Sequence, residues 1–281
     1  MKVVILAGGF GTRLSEETTI VPKPLVEIGG RPVLWHIMKI YSAYGLNDFV
    51  ICCGYKGHMI KTYFSDYMIQ NSDVTFDLEH DTMAVHRTPS EKWRVTLVDT
   101  GEQTMTGGRL KRVRRYLDDT FCMTYGDGVG DVDIESLVAS HKRHQKLATV
   151  TAVQQPGRFG TLSISSEDSA VVGFREKSAA DGHLINGGFF VLEPEALNYI
   201  DGDNTSWEHD PMQRLMLDQQ LTAYCHTGFW QNMDTLRDRH VLQTLWESGN
   251  PPWCVWNNVS GLLRHRRSDT EVASSVSSKE I

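Results

Sequence analysis

An unbroken apolar run, Val3-Val4-Ile5-Leu6-Ala7, meets Gly8, Gly9 and Gly11 at once. Continuous rather than alternating hydrophobicity predicts a strand buried on both faces. Over residues 33–44 the apolar side chains Leu34, Ile37, Met38 and Tyr41 fall at helical spacing, with Pro32 suited to the first turn and Gly45 to the stop. A second apolar run covers 49–53, Gly54-Tyr55-Lys56 makes a loop, and 58–69 reads as another helix. Strand, loop, helix, strand is the order of an α/β unit with parallel strands. Ligands bind such sheets at the carboxyl ends of their strands.

Further along, the period changes. Residues 74–78 and 93–98 alternate at period two, which predicts two strands joined by a long polar connection containing Pro89. A short helix is predicted at 110–117, after Gly107-Gly108. A strand at 121–125 runs into Gly126-Asp127-Gly128, followed by a helix at 134–145 and a strand at 148–153 rich in β-branched residues. Strands follow at 160–164, 171–174, 185–192 and 221–226. Helical pieces are expected at 194–199 and 212–218, and a late helix within 230–246. The pattern is that of an α/β protein: a mixed, mainly parallel sheet flanked by helices, with a β-rich later region. Residues 1–256 read as one domain. Residues 257–281 are polar and read as a mobile tail, since ordering them would bury little apolar surface.

Composition narrows the function. The chain has 281 residues and a formal net charge of −7, so no basic excess is available to cover the phosphates of a nucleic acid or an acidic membrane. The cluster of Arg264, Arg266 and Arg267 does not change that balance. The five cysteines show no metal-ligand spacing and no disulfide framework, which fits a reducing compartment. No signal-peptide pattern is visible, and no stretch nears the roughly 20 apolar residues needed to span a bilayer. A cytoplasmic location is the resulting expectation.

Candidate chemistry starts at the first turn. In Leu6-Ala7-Gly8-Gly9-Phe10-Gly11-Thr12-Arg13-Leu14, glycines let the backbone bend tightly and bring amide groups close to a ligand. Arg13 adds a planar donor fork for phosphate oxygens. The loop is not an ATPase P-loop, because no lysine and hydroxyl pair follows the last glycine, and it lacks the last glycine of the dinucleotide fingerprint. In Pro22-Lys23-Pro24-Leu25 two prolines restrict the backbone around one lysine, which positions its stem. Taken alone, each feature also fits a structural turn and a solvent-facing lysine.

Together these two segments resemble the signature of the sugar-nucleotide pyrophosphorylases, nucleotidyltransferases that act on sugar 1-phosphates. The likeness runs from residue 1 to about 256. It includes Asp99-Thr100-Gly101, Thr104-Met105-Thr106-Gly107-Gly108-Arg109-Leu110, Tyr125-Gly126-Asp127-Gly128, Phe174-Arg175-Glu176-Lys177, Ile185-Asn186-Gly187-Gly188-Phe189-Phe190 and Phe229-Trp230-Gln231-Asn232-Met233-Asp234-Thr235. The Thr-Met-Thr-Gly-Gly-Arg and Trp-Gln-x-Met-Asp-Thr segments point to the cytidylyl branch. Asn232 stands where proline or another residue is expected, and residues 257–281 have no familial look.

The resemblance implies a Rossmann-like nucleotidyltransferase fold, with a nucleotide half over about 1–155 and a sugar half over about 156–256. It implies attack of glucose 1-phosphate on the α-phosphorus of CTP, giving CDP-glucose and pyrophosphate, with UTP and dTTP as the next nucleotides. Leu6, Ala7, Gly8, Gly9, Gly11, Thr12, Arg13 and Lys23 would hold the nucleotide, framed by Gly107, Gly108, Arg109 and Asp127. Arg13, Lys23 and Lys177 would offset phosphate charge during transfer. Glu176, Lys177, Asn186 and Gly187 would bind the sugar phosphate. Asp127 and Asp234 would hold Mg²⁺. Read locally, Asp127 is equally a turn residue between glycines, Asp234 a helix-start residue, and Glu176 with Lys177 an exposed pair. A pocket selective for cytosine should point a carbonyl at its amino group, and backbone carbonyls around Gly8 or Gly108 could do so. The resemblance further implies a homo-oligomer, a hexamer, with the 74–98 segment as a candidate contact, and a product that feeds 3,6-dideoxyhexose synthesis for surface polysaccharides. Two other readings compete: a sugar-nucleotide-binding protein without catalysis, and a Rossmann-type oxidoreductase.

Overall fold

The structure, a computed structural model, describes residues 1–86, 91–154, 161–164, 171–175 and 184–257. Its centre is a seven-stranded sheet. From edge to edge the strands are Leu221–His226, Ala148–Gln154, Leu184–Leu192, Phe121–Tyr125, Val3–Ala7, Asp48–Cys53 and Arg94–Asp99. Leu184–Leu192 runs antiparallel to both neighbours, while every other neighbouring pair is parallel. The mixed, mainly parallel sheet is therefore present.

The apolar runs are buried on both faces, as their lack of alternation requires. Val3, Ile5 and Ala7 join one core cluster with Phe49, Ile51 and Cys53. Val4 and Leu6 join the opposite cluster with Val50 and Cys52. Helix Val33–Ala43 lays Leu34, Ile37, Met38 and Tyr41 on the first cluster. Helix Thr106–Val113 lays Leu110 and Val113 on the second. Each fully buried Leu, Ile or Phe contributes about 1.5–3 kcal/mol, so these two layers hold the first strand at the middle of the molecule.

Several elements differ from the sequence expectation. The 74–98 segment carries three strands rather than two. Asp73–Asp77 pairs with Thr82–His86 in a separate hairpin, and Arg94–Asp99 is the edge strand of the main sheet. The late helix expected within 230–246 is Leu236–Glu247, and a short strand not expected there, Trp230–Asn232, precedes it. The helix after the paired glycines starts at Thr106, so Gly107 and Gly108 lie inside its first turn. Among the described residues Thr161–Ile164 and Val171–Arg175 pair only with each other, while Leu184–Leu192 and Leu221–His226 complete the main sheet. The expected tail beyond residue 257 lies outside the described residues.

His36 supplies a pH-dependent part of this core. It is fully buried among the rings of Trp35, Trp246, Trp253 and Trp256. Its Nε2 lies 2.9 Å from the Ile28 carbonyl, and Trp253 Nε1 donates to its Nδ1 at 3.3 Å. Only the neutral ring with its proton on Nε2 satisfies both contacts. Burial pushes its pKa down to about 4. An unfolded histidine titrates near 6.5, so the unfolded chain binds more protons between those values. The stabilisation from neutral His36 is complete above about pH 6.5 and lost as pH falls towards 4, by roughly 3 kcal/mol. Urea unfolding across that window should show the decline in the wild type and a flatter profile in His36→Gln. Parallel profiles would contradict it.

Candidate active site

The first site element is the turn that leaves strand Val3–Ala7. Gly11 has φ +65°, and a Cβ there would stand 2.7 Å from Thr18 Cγ2. Thr18 Oγ1 donates to the Gly11 carbonyl at 3.0 Å, which closes the loop onto the helical turn behind it. Gly8 is pressed against Arg109: an added Cβ would lie 2.2 Å from its Nη1.

Arg109 is 4% exposed and braces this loop. Nη2 donates to the carbonyls of Gly8 at 2.9 Å and Glu102 at 3.1 Å. Nη1 donates to the Gly101 carbonyl at 2.7 Å, Thr100 Oγ1 at 2.8 Å and the Cys53 carbonyl at 3.3 Å. One guanidinium thus ties together the ends of three parallel strands, a task its planar fork suits and a lysine does not.

The second element is a small antiparallel ribbon that pairs Trp230–Asn232 with Gly128–Gly130. It fastens two distant segments of chain, and Met233 N–H donates to the Asp127 carbonyl at 2.8 Å. This brings Asp127 and Asp234 to one place. Lys23 Nζ, from the proline-flanked turn, lies 2.6 Å from Asp127 Oδ2 and 2.6 Å from Asp234 Oδ1. Burial, the largest influence on this ammonium, lowers its pKa, but the two carboxylates outweigh it and the pKa is raised. Lys23 is therefore charged and offers no base.

Asp234 is not the cap of the following helix. That position belongs to Thr235, which forms a reciprocal capping box with Asp238. The Asp234 side chain is instead directed to Lys23 and to Asn232, whose Nδ2 donates to its Oδ2 at 2.7 Å. Asn232, singled out in the sequence only as a departure, positions one of the two carboxylates.

The glycine loop and the Asp127–Lys23–Asp234 cluster face one cavity of about 640 Å³. It is lined by Leu6, Ala7, Gly8, Gly9, Gly11 and Thr12 on one side, and by Asn186, Gly187, Trp230 and Asn232 on another. Lys23, Arg109, Asp127 and Asp234 also border it. The volume suits a nucleotide-sized ligand. Gly107 and Gly108 do not line it. Added Cβ atoms there would meet backbone oxygens of Thr205 at 2.7 Å and Asp203 at 2.5 Å, so these glycines allow the helix to pack closely on that loop. The Arg13 backbone lies in the short helical turn Thr12–Leu14, but its side chain is not among those described. Glu176 and Lys177 lie outside the described residues.

Behind the Tyr125 side of the cavity lies a residue the sequence did not flag. Tyr125 OH donates to Glu208 Oε1 at 2.6 Å. Thr106 Oγ1 and Ser206 Oγ both donate to Glu208 Oε2 at 2.6 Å. Burial is the largest influence on Glu208 and raises its pKa, yet these donors outweigh it and the carboxyl is held below its usual range. No local sequence motif announces this group.

A glycine-rich loop facing paired carboxylates and a buried ammonium, across a cleft at the carboxyl ends of parallel strands, defines an α/β enzyme that handles phosphates. The chain belongs to the nucleotidyl transferase family, whose sequence model matches residues 2–240. It is 56% identical over 258 residues to the glucose-1-phosphate cytidylyltransferase of Salmonella typhi, covering 91% of this chain and 100% of that protein. It is 30% identical over 246 residues to the mannose-1-phosphate guanyltransferase of Aspergillus oryzae, covering 85% of this chain and 62% of that one. Among solved structures, UDP-glucose pyrophosphorylase complexed with UDP-glucose superposes with a TM-score of 0.62 at 13% identity, covering 89% of this chain and 99% of that one. That last likeness concerns the fold alone.

Proposed function

We infer that the chain transfers the cytidylyl group of CTP to glucose 1-phosphate, giving CDP-glucose and pyrophosphate. The 56% identity along 91% of the chain to a cytidylyltransferase carries this reading, against 30% for a guanyltransferase. In the reaction a phosphate oxygen of the sugar attacks the α-phosphorus. The bond to the pyrophosphate oxygen breaks with its electron pair. The nucleophile is already an anion, so the protein's task is alignment and charge compensation.

The residues suit that task. The backbone from Leu6 to Thr12, with Arg13, would cradle the triphosphate, and Lys23 would offset charge at the α-phosphoryl group. Glu176, Lys177, Asn186 and Gly187 would receive the sugar phosphate. Neither carbonyl first suggested for the cytosine amino group is well placed. The Gly8 oxygen already accepts from Arg109 and from Tyr55 N–H, and Gly108 does not line the cavity.

Asp127 and Asp234 would hold Mg²⁺. The fit rests on geometry: one oxygen of each carboxylate lies 2.6 Å from a single cationic centre, Lys23 Nζ. Hard carboxylate oxygens match Mg²⁺, which binds through one or two carboxylates plus phosphates and water. Among the described residues no group of three or more His, Cys, Asp or Glu converges, so further ligands would come from substrate and solvent. When bound, the ion would draw charge from the phosphates and fix their orientation.

A homo-oligomer, a hexamer, is part of the same reading. The hairpin of Asp73–Asp77 and Thr82–His86 exposes Phe76, Leu78 and Met83 and is the candidate contact. A monomer by sedimentation at assay concentration would remove that part. Among the described residues no helix is long and apolar enough to cross a membrane, and a cytoplasmic location accords with the substrates.

The test is pyrophosphate release by purified protein with Mg²⁺ and glucose 1-phosphate, with CTP, UTP, dTTP, ATP and GTP in parallel. CTP should dominate. Equal turnover of UTP or dTTP would discard the cytosine assignment. Nucleotide binding without release from any of them would favour a binding protein.

A further inference from the structure

Glu208 is an ionised, half-buried carboxylate that does not itself line the cavity. Its three hydroxyl donors come from the strand end at Tyr125, the helix start at Thr106 and the loop at Ser206. Two of these, Tyr125 and Thr106, are cavity-wall residues. We propose that Glu208 sets the hydrogen-bonding polarity of the sugar-side wall through Tyr125 and Asn186, as a positioning residue for glucose 1-phosphate; this rests on the transferase reading above.

Donor arithmetic carries the inference. A tyrosine hydroxyl has one proton, and Tyr125 gives it to Glu208 at 2.6 Å. Towards the cavity its oxygen therefore only accepts. Asn186 Nδ2 lies 3.4 Å from that oxygen on the donor side. The opposite end of the same amide is fixed, because Asn186 Oδ1 accepts from Gly188 N–H at 2.8 Å. The amide cannot flip without setting its oxygen against the Tyr125 oxygen and its NH₂ against the Gly188 N–H.

The result is a chain with one direction: Asn186 N–H to Tyr125 O–H to the Glu208 carboxylate. Ending on an anion, it polarises each donor before it. The second N–H of Asn186 has no place in this chain and serves as a donor for an oxygen of the sugar phosphate. Thr106 offers no competing polarity. Its proton goes to Glu208, and its oxygen accepts from Trp207 N–H at 2.9 Å. Tyr125 is also held in place by shape: a Cβ at Gly188 would lie 2.6 Å from its ring, and Phe190 packs edge-on to it.

Glu208→Gln keeps the side-chain size but presents one NH₂ group to hydroxyls that are all donors. At least one must reverse, and Tyr125 is the one whose reversal sets a proton against Asn186 Nδ2. Steady-state kinetics and calorimetry should be run on wild type, Glu208→Gln, Tyr125→Phe and the double variant. The expected result is a rise of about tenfold in KM and in the dissociation constant for glucose 1-phosphate, the scale of one hydrogen bond to a charged group. The KM for CTP should stay within about twofold, and the double variant should be no worse than Tyr125→Phe alone. An unchanged KM for the sugar phosphate in Glu208→Gln would overturn the proposal, as would additive losses in the double variant. A merely structural role for Glu208 would instead raise both KM values and lower the melting temperature together. Wild-type protein that does not turn over glucose 1-phosphate would refute the transferase reading itself, independently of the variants.

Discussion

Asp127→Asn should reduce pyrophosphate release by at least about a thousandfold, with the fold retained. The loss follows from charge. In the native chain two carboxylates face one cationic centre, each at 2.6 Å from Lys23 Nζ. Replacing one leaves the other to balance Lys23 and removes half of the anionic set proposed to hold the divalent ion. Loss of a single preorganised electrostatic partner at a reacting phosphoryl group commonly lowers kcat by about 100- to 1,000-fold, and here the ion and the lysine both lose a partner. Asp234→Asn should behave alike. Lys23 keeps one carboxylate in either variant, so circular dichroism and melting temperature should change little. Substantial activity in Asp127→Asn at saturating Mg²⁺ would refute the metal-site assignment. Asn232→Ala should give a milder loss, of about tenfold, because it only frees the Asp234 carboxylate that its Nδ2 now holds.

The largest stability effect should come from Arg109→Met. The guanidinium satisfies four backbone carbonyls and Thr100 Oγ1 in a site that is 4% exposed. Methionine fills the space and supplies no donor. The Gly8 and Cys53 carbonyls keep the N–H groups of Tyr55 and Thr100, whereas those of Gly101 and Glu102 lose the donor that Arg109 supplies, at about 1–3 kcal/mol each. A loss of roughly 4 kcal/mol, or about 10 °C in melting temperature, is expected. The Gly8 carbonyl would lose the donor that holds the loop, so the KM for CTP should rise as well. Arg109→Lys should rescue little, since an ammonium cannot reach carbonyls from three strand ends at once. Gly8→Ala approaches the same contact from the other side, with a Cβ 2.2 Å from Arg109 Nη1, and should show the same pairing of lower stability and weaker nucleotide binding. Normal thermal stability of Arg109→Met would show that the brace is dispensable.

Much of the scaffold was legible because its signals are local. Val3–Ala7 and Asp48–Cys53 are unbroken apolar runs, and the sheet buries both their faces. Thr82–His86 was missed because its side chains are nearly all exposed, so no hydrophobic period marks it. Gly128–Gly130 and Trp230–Asn232 are three residues each, too short for a period to register. The late helix was legible in Leu236, His240, Leu242 and Leu245, and its start lies at the capping box of Thr235 with Asp238.

The site divides in the same way. The glycine loop and the proline-flanked Lys23 could be recognised from the chain alone, since each depends on backbone restrictions that particular residues impose locally. Family resemblance then named Asp127 and Asp234, and local sequence gave them ordinary structural readings. Only the tertiary structure decided that the two carboxylates meet on Lys23, because a ribbon between distant segments brings them there. It also turned Arg109 inward as a brace, moved Gly107 and Gly108 off the cavity wall, and placed Glu208 behind Tyr125. Hydrophobic periodicity and turn chemistry act over a few residues and are written in the order of the chain. The partner of a buried charge is chosen by whichever strand ends the sheet topology makes neighbours, and no spacing along the sequence records that choice.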